Sequence, residues 1–235
     1  MRKLSFLFLL VLLLPQGIMG QDTNIIPEVA DSLYREDQIY IGFTYNMVSG
    51  KPDDIAPSQF SGGFHLGFIR DFPLNERRNV ALGIGLGWSI DTYGQNLFIG
   101  DGERPDRSYF QLLDRARIDY DTNRFTTQTL DLPIQIRWRT STPISYKFWR
   151  VYTGLRPSYI YFFKSRFAQQ GNLIRNSEVP ELQRFNLGAV LIFGYNTFNF
   201  NFFYSLNSLF DESAMVNGEA LELRTIQVGL TFFLL

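Results

Sequence analysis

The chain has 235 residues, 45 % of them hydrophobic and 16 % aromatic, with a mean hydropathy of −0.08 and a formal net charge of −1. It has no cysteine and one histidine, so disulfides and thiolate chemistry are excluded, a His-cluster metal site is disfavoured, and no basic run supplies the footprint of a nucleic-acid binder. The one long apolar run, residues 4–14, is too short to span as an anchor; the remaining greasiness must be spread by alternation, which excludes a helical membrane protein.

Met1-Arg2-Lys3, that apolar run and Gly20 read as a secretory signal peptide over residues 1–20, with cleavage expected before Gln21. Residues 21–36 show no clean period and are expected to form a periplasmic leader segment, which leaves residues 37–235 for a single domain. That domain opens with Ile39, Ile41, Phe43, Tyr45 and Met47 alternating with Tyr40, Gly42, Thr44 and Asn46, a strand pattern. After a loop holding Pro52 and Pro57, Phe60, Gly62, Phe64, Leu66 and Phe68 alternate with Ser61, Gly63, His65 and Gly67. Residues 71–78 read as a compact turn.

The next strand, residues 80–90, is the most informative. Its even positions are large and apolar, whereas Ala81, Gly83, Gly85, Gly87 and Ser89 are tiny. A strand on a soluble core would oppose its apolar face with polar residues. Bulk on one side and cramped space on the other fit a small closed barrel, with lipid outside and a narrow lumen inside. Residues 91–124 are dense in charge of both signs and read as a long solvated loop, with a short helix near 110–116. The fourth strand sets Leu130, Leu132, Ile134, Ile136 and Trp138 against Asp131, Pro133, Gln135 and Arg137; Pro133 predicts a bulge or a missing ladder bond. Four more strands follow at about 149–161, 185–195, 198–206 and 225–234, the sixth and seventh joined by the tight Asn196-Thr197 connection.

The count is eight. The fold class is all-β: an eight-stranded antiparallel transmembrane β-barrel with a closed, side-chain-filled lumen. Long gaps follow strands one, three, five and seven, and short turns follow two, four and six. Outer-membrane barrels keep short turns in the periplasm, so both termini are expected there. Trp88, Trp138 and Trp149 fall on outward registers near strand ends and are expected in interfacial girdles. The C-terminal run 227–234 has the spaced-hydrophobic pattern expected of a barrel-insertion signal.

The inward registers carry Asp131, Gln135, Arg137, Arg150, Tyr152, Arg156, Arg184, Asn186, Asn199, Asn201 and Gln227. A self-satisfying polar plug is the expectation, with Asp131, Arg137, Arg150, Arg156 and Arg184 as its charged members and an Asp131–Arg156 pair predicted across the fourth and fifth strands. An anion pathway is the alternative that the arginine excess suggests. His65 is read as a lone lumen residue. A lipid-modifying Ser-His-acid barrel would also need a nucleophile and an acid within hydrogen-bond reach, and no spacing points to them. No catalytic residue, no cofactor, no metal and no small-molecule substrate is expected. A structural or adhesin-like barrel is one reading of such a chain, and a lipid-modifying enzyme another.

Five stretches resemble the PorT family of outer-membrane barrels of the Bacteroidetes lineage. They are Tyr-Arg-Glu-Asp-Gln-Ile-Tyr at 34–40, Arg-Asp-Phe-Pro at 70–73, Tyr-Gly-Gln-Asn-Leu at 93–97, Leu-Pro-Ile-Gln-Ile-Arg-Trp-Arg-Thr-Ser-Thr-Pro at 132–143 and Phe-Trp-Arg-Val-Tyr-Thr-Gly at 148–154. The resemblance implies a non-enzymatic component of type IX protein secretion, and of adhesin delivery in gliding motility. It implies contacts with outer-membrane lipid and with other secretion-system proteins, and brings no catalytic or binding residues with it.

Overall fold

A computed structural model describes residues 37–52, 54–104, 106–114, 116–140 and 148–234. The signal peptide expected at 1–20, the leader segment expected at 21–36 and most of the turn expected at 140–146 lie outside those residues. The elements are β1 (Asp37–Lys51), β2 (Gly62–Pro73), β3 (Val80–Gly94), β4 (Leu97–Asp101), β5 (Ser108–Leu112), β6 (Thr122–Asp131), β7 (Ile134–Arg139), β8 (Trp149–Gln169), β9 (Asn172–Asn176), β10 (Phe185–Tyr195), β11 (Phe198–Ser205), β12 (Met215–Val216), β13 (Glu219–Ala220) and β14 (Glu222–Leu234). β6 and β7 are one interrupted barrel strand. With them counted together, eight antiparallel strands close on themselves in the order β1-β2-β3-β6/β7-β8-β10-β11-β14, and β14 returns to β1.

Alternation decides which way each residue points. On β3 the residues Ala81, Gly83, Gly85, Gly87 and Ser89 are buried, while Ile84 and Leu86 face out, Leu86 at 64 % exposure. The same parity exposes Phe43, Phe68, Leu130, Ile136, Val151, Leu191, Phe200 and Val228 around the wall, a continuous apolar belt that only lipid could cover. The small inward residues have a steric purpose. A Cβ at Gly83 would stand 2.5 Å from Arg137 Cδ, and one at Gly87 would overlap the Tyr40 hydroxyl. Tyr40 and Arg137 fill the lumen because the facing strand leaves them room.

At Pro133 the register runs on unbroken: Asp131 and Ile134 keep step with Gly87 and Ile84 on β3 and with Ser158 and Leu155 on β8. What is missing is only the ladder bond that proline cannot donate. The bulge lies a turn of pleat away, where Tyr161 is the extra residue between Ile160, opposite Thr129, and Phe162, opposite Gln128. It flips the parity of β8. Below it Tyr152, Arg156, Ser158 and Ile160 point inward; above it Phe163, Ser165 and Phe167 do.

The segment expected to be a charged loop with a short helix is instead half strand. β3 continues to Gly94, β4 and β5 form a hairpin, and β6 starts at Thr122, so the proposed helix near 110–116 falls partly on β5. Its charged residues mask an alternation of apolar ones: Tyr93, Leu97, Ile99, Phe110 and Phe125 turn inward and join Phe163, Leu182, Leu209, Phe210, Val216 and Leu223 in one buried cluster. The rings interlock, with Phe110 and Phe163 at 5.2 and 6.3 Å from Phe210 and Phe125 at 5.6 Å from Phe163. An apolar cap thus closes the end of the barrel where the long connections gather. Two further hairpins belong to this end: β8–β9, turning at Gln170-Gly171 with φ of 48° and 84°, and β12–β13, turning at Asn217-Gly218 with φ of 51° and 85°, both left-handed pairs suited to two-residue hairpins.

Candidate functional site

Below the cap the lumen is mixed: Tyr152, Val190, Ile192 and Phe203 pack together with Phe233 as an apolar patch, and the polar side chains divide into two networks. Nearest the short turns, Arg137 Nη1 donates to Asp71 Oδ1, Arg139 Nη1 donates to Asp71 Oδ2 at 2.8 Å, and Arg137 Nη2 donates to Gln38 Oε1 at 2.8 Å. Asp71 and Arg137 have no exposed side-chain surface. The Arg137 guanidinium also lies 3.9 Å over the Tyr152 ring, which places cation–π attraction on its face and hydrogen bonds on its edges. Arg150, next along the wall, stacks over Phe148 at 4.5 Å.

The second network fills the middle. Asn46 Nδ2 donates to Asp91 Oδ1 at 2.8 Å, Thr44 Oγ1 donates to Asn46 Oδ1 at 2.7 Å, and Thr44 Oγ1 lies 2.9 Å from His65 Nε2. His65 Nδ1 meets Ser89 Oγ at 2.8 Å, and Ser89 Oγ donates to Asp131 Oδ2, whose other oxygen accepts from Thr129 Oγ1 at 2.9 Å. Across the lumen, Arg156 Nη2 donates to Gln227 Oε1 at 2.7 Å and stacks 3.9 Å over Phe203.

The residues expected in a self-satisfying plug are placed as follows, and several of their buried polar atoms, among them Nε of Arg137 and Arg156 and Oδ1 of Asn199 and Asn201, have no hydrogen-bond partner among the described residues. Asp131, Arg137, Arg150 and Arg156 are buried inside; Arg184 is exposed, and its Nη1 donates to the Ile160 carbonyl at 3.2 Å. It precedes the first residue of β10, where strand parity no longer governs direction. Asp131 and Arg156 do not form an ion pair: the register places Ser158 opposite Asp131, and Arg156 turns to Gln227. The carboxylate that pairs with arginine is Asp71, which the sequence alone places in a turn. It sits at odd parity on β2 with Ser61, Gly63, His65, Gly67 and Ile69, so extending that strand by three residues past Phe68 would have found it. Gln38, Thr44, Asn46, Ser89 and Asp91 were equally legible by parity; only the register between strands makes them neighbours.

His65 is not alone, since Ser89 and two aspartates surround it. The arrangement is still unsuited to nucleophilic catalysis. Ser89 gives its proton to Asp131, has no exposed surface, and faces the histidine without any opening through which a substrate could arrive. Two cavities of about 30 Å³ each, one beside Arg156, Asp91 and Thr129 and one beside His65, Tyr40 and Asn201, are the size for isolated waters. An anion pathway would need a connected passage, and the guanidinium groups of Arg137 and Arg156 are engaged with protein partners. Among the described residues no group of His, Asp and Glu is placed to hold a metal ion.

The outward tryptophans are where alternation puts them. Trp138 and Trp149 are exposed at the short-turn end, Trp149 with its ring 5.2 Å from Tyr195. Trp88 lies toward the long-connection end, where its Nε1 donates to Tyr161 Oη at 2.6 Å and Tyr161 donates to Gln128 Oε1 at 2.6 Å.

Comparison with known proteins places this geometry. The sequence matches the family described as outer membrane protein beta-barrel domain over residues 20–211. No curated protein matches it. Two solved structures similar to it are of Ail, the attachment invasion locus protein of Yersinia pestis. One is 15 % identical with a TM-score of 0.38, the other, in complex with the heparin analogue sucrose octasulfate, 14 % identical with a TM-score of 0.37; each alignment covers 83 % of this chain and 97 % of that one. With the apolar belt, the closed eight-stranded wall and the filled lumen, the chain belongs to the outer membrane protein beta-barrel domain family.

Proposed function

We propose that this barrel is a non-enzymatic outer-membrane component of type IX protein secretion that works through contacts with other secretion-system proteins. The observation that carries the reading is the filled interior: a plug of polar and aromatic side chains under an apolar cap leaves, among the described residues, neither a pore nor a reachable nucleophile. Whatever the protein contributes must then come from its outer surfaces. The resemblance of residues 132–143 and 148–154 to the PorT family supports secretion as the process. We assign the long-connection end to the cell exterior and both termini to the periplasm, which the contrast between the Asn196-Thr197 turn and the hairpin-bearing connections supports.

Deletion of the protein is expected to leave other outer-membrane proteins inserted while type IX cargo accumulates in the periplasm. Normal cargo export in the deletion strain refutes the reading. His65→Ala, provided that the barrel folds and reaches wild-type abundance, is expected to export normally; an export defect from that change alone would point to lumen chemistry.

A further inference from the structure

The parity flip at the Tyr161 bulge has an outward consequence as well as an inward one. Above it, Lys164 and Arg166 of β8 point out of the barrel wall. On the neighbouring strands Arg124 stands directly opposite Arg166, and Arg175 of β9 stands opposite it on the other side. Three guanidinium-bearing residues thus form one row across three adjacent strands, with Cβ atoms about 5 Å apart at each step. Lys164, opposite Thr126, lies two residues closer to the membrane on the same face. The positions flanking the row on that face are Thr122, Thr126, Ala168 and Leu173, none of them acidic.

Like charges set directly opposite one another on neighbouring strands destabilise a sheet. Two exposed arginines elsewhere meet carboxylates, Arg70 with Asp37 and Arg117 with Asp114, and Arg77, Arg104, Arg107 and Arg184 stand singly among the described residues; what sets this row apart is that its cations are stacked directly opposite one another. None of Arg124, Lys164, Arg166 and Arg175 is in any ion pair found among the described residues, and the Nε of Arg166 is buried without a hydrogen-bond partner. An uncompensated row of this kind calls for an anion from outside the chain. Its height names the source. The row begins just beyond the Trp88–Tyr161–Gln128 contact, where the outward face changes from the apolar Leu130 and Tyr159 to polar Thr126 and Thr92, the level of the lipid headgroups.

We propose that Arg124, Arg166 and Arg175, with Lys164 below them, bind the phosphate of a phosphorylated glycolipid of the outer leaflet. Guanidinium groups offer paired donors matched to phosphate oxygens, and a row spanning three strands can hold one headgroup from several sides. Seating the lipid there would relieve the repulsion and tie β9, the strand hydrogen-bonded in this sheet to β8 alone, to the membrane surface. The assignment of leaflet rests on the orientation proposed above.

The test uses the full mature chain purified in detergent and titrated with monophosphoryl lipid A, its dephosphorylated form, phosphatidylglycerol and inorganic phosphate. Monophosphoryl lipid A is expected to bind most tightly. Arg166→Gln and Arg175→Gln should each weaken it about fivefold, Arg166→Lys should retain most of the affinity, and Arg70→Gln at the other end of the barrel should change nothing. These residues face outward, so heat-modifiable gel mobility should report a folded barrel in every variant. Binding undiminished in both glutamine variants, equal binding of the dephosphorylated lipid, or equal binding of inorganic phosphate overturns the proposal. So does equal binding of phosphatidylglycerol, which would make the site one for any anionic lipid. Orientation is read separately: the chain has no cysteine, so Leu173→Cys can be labelled in intact cells with an impermeant maleimide. Failure to label would overturn the proposed orientation, and with it the choice of leaflet, while the affinities test the site itself.

Discussion

Asp71→Asn is the sharpest perturbation of the lumen. The carboxylate is held between Arg137 and Arg139, with no exposed side-chain surface on Asp71 or Arg137. At an effective dielectric of about 20, each charge pair at about 4 Å contributes about 4 kcal/mol of attraction. Removing the negative charge forfeits both, returns the carboxylate's own desolvation cost, and leaves two guanidinium groups facing an amide that must offer one of them its NH₂. The expected loss of stability is about 3–5 kcal/mol, the usual result of deleting one member of a buried pair. Urea titration of the barrel in lipid vesicles, followed by heat-modifiable mobility and tryptophan fluorescence, reads this as a shift of midpoint at constant slope. The companion change Asp37→Asn removes a 3.7 Å contact between two half-exposed groups and should cost less than about 1 kcal/mol. Adding Arg137→Met to Asp71→Asn should recover part of the loss, because one stranded charge is removed with its partner. A shift below about 1 kcal/mol for Asp71→Asn would refute the reading of Asp71, Arg137 and Arg139 as a stabilising buried ion-pair triad.

Three further outcomes follow from the packing. Gly87→Ala puts a methyl group into the Tyr40 hydroxyl and should cost about 1–3 kcal/mol by the same titration, with most of the loss removed in a Tyr40→Phe background. Phe210→Ala empties the centre of the apolar cap and should cost about 3–5 kcal/mol, seen first as protease cleavage in the long connections while the barrel wall stays resistant. Ser89→Ala leaves Asp131 with one hydroxyl donor fewer and should destabilise the barrel by about 1–3 kcal/mol without changing cargo export in cells where the variant reaches normal abundance.

Much of the wall was legible because a strand's side chains alternate whatever they pack against. The existence and order of the eight wall strands, the outward tryptophans and the inward positions of Arg137, Arg150 and Arg156 follow from parity alone. The cramped face of residues 81–89 announced a narrow lumen, since nothing else explains glycine after glycine opposite a lipid-facing row. Parity assigns a residue to a face and stops there. Which inward groups meet depends on register between strands that are distant in sequence: Asp71 and Arg137 lie 66 residues apart, and His65 reaches Ser89 only because β2 and β3 pair as they do. The segment 91–124 misled because its charges face solvent on a hairpin whose other face is apolar, so that composition hid the alternation beneath it. The Tyr161 bulge left no mark in the sequence at all. A single extra residue turned Phe163 into the cap and Lys164 and Arg166 out toward the membrane surface, and only the pairing of β8 with β6 fixes where that residue is absorbed.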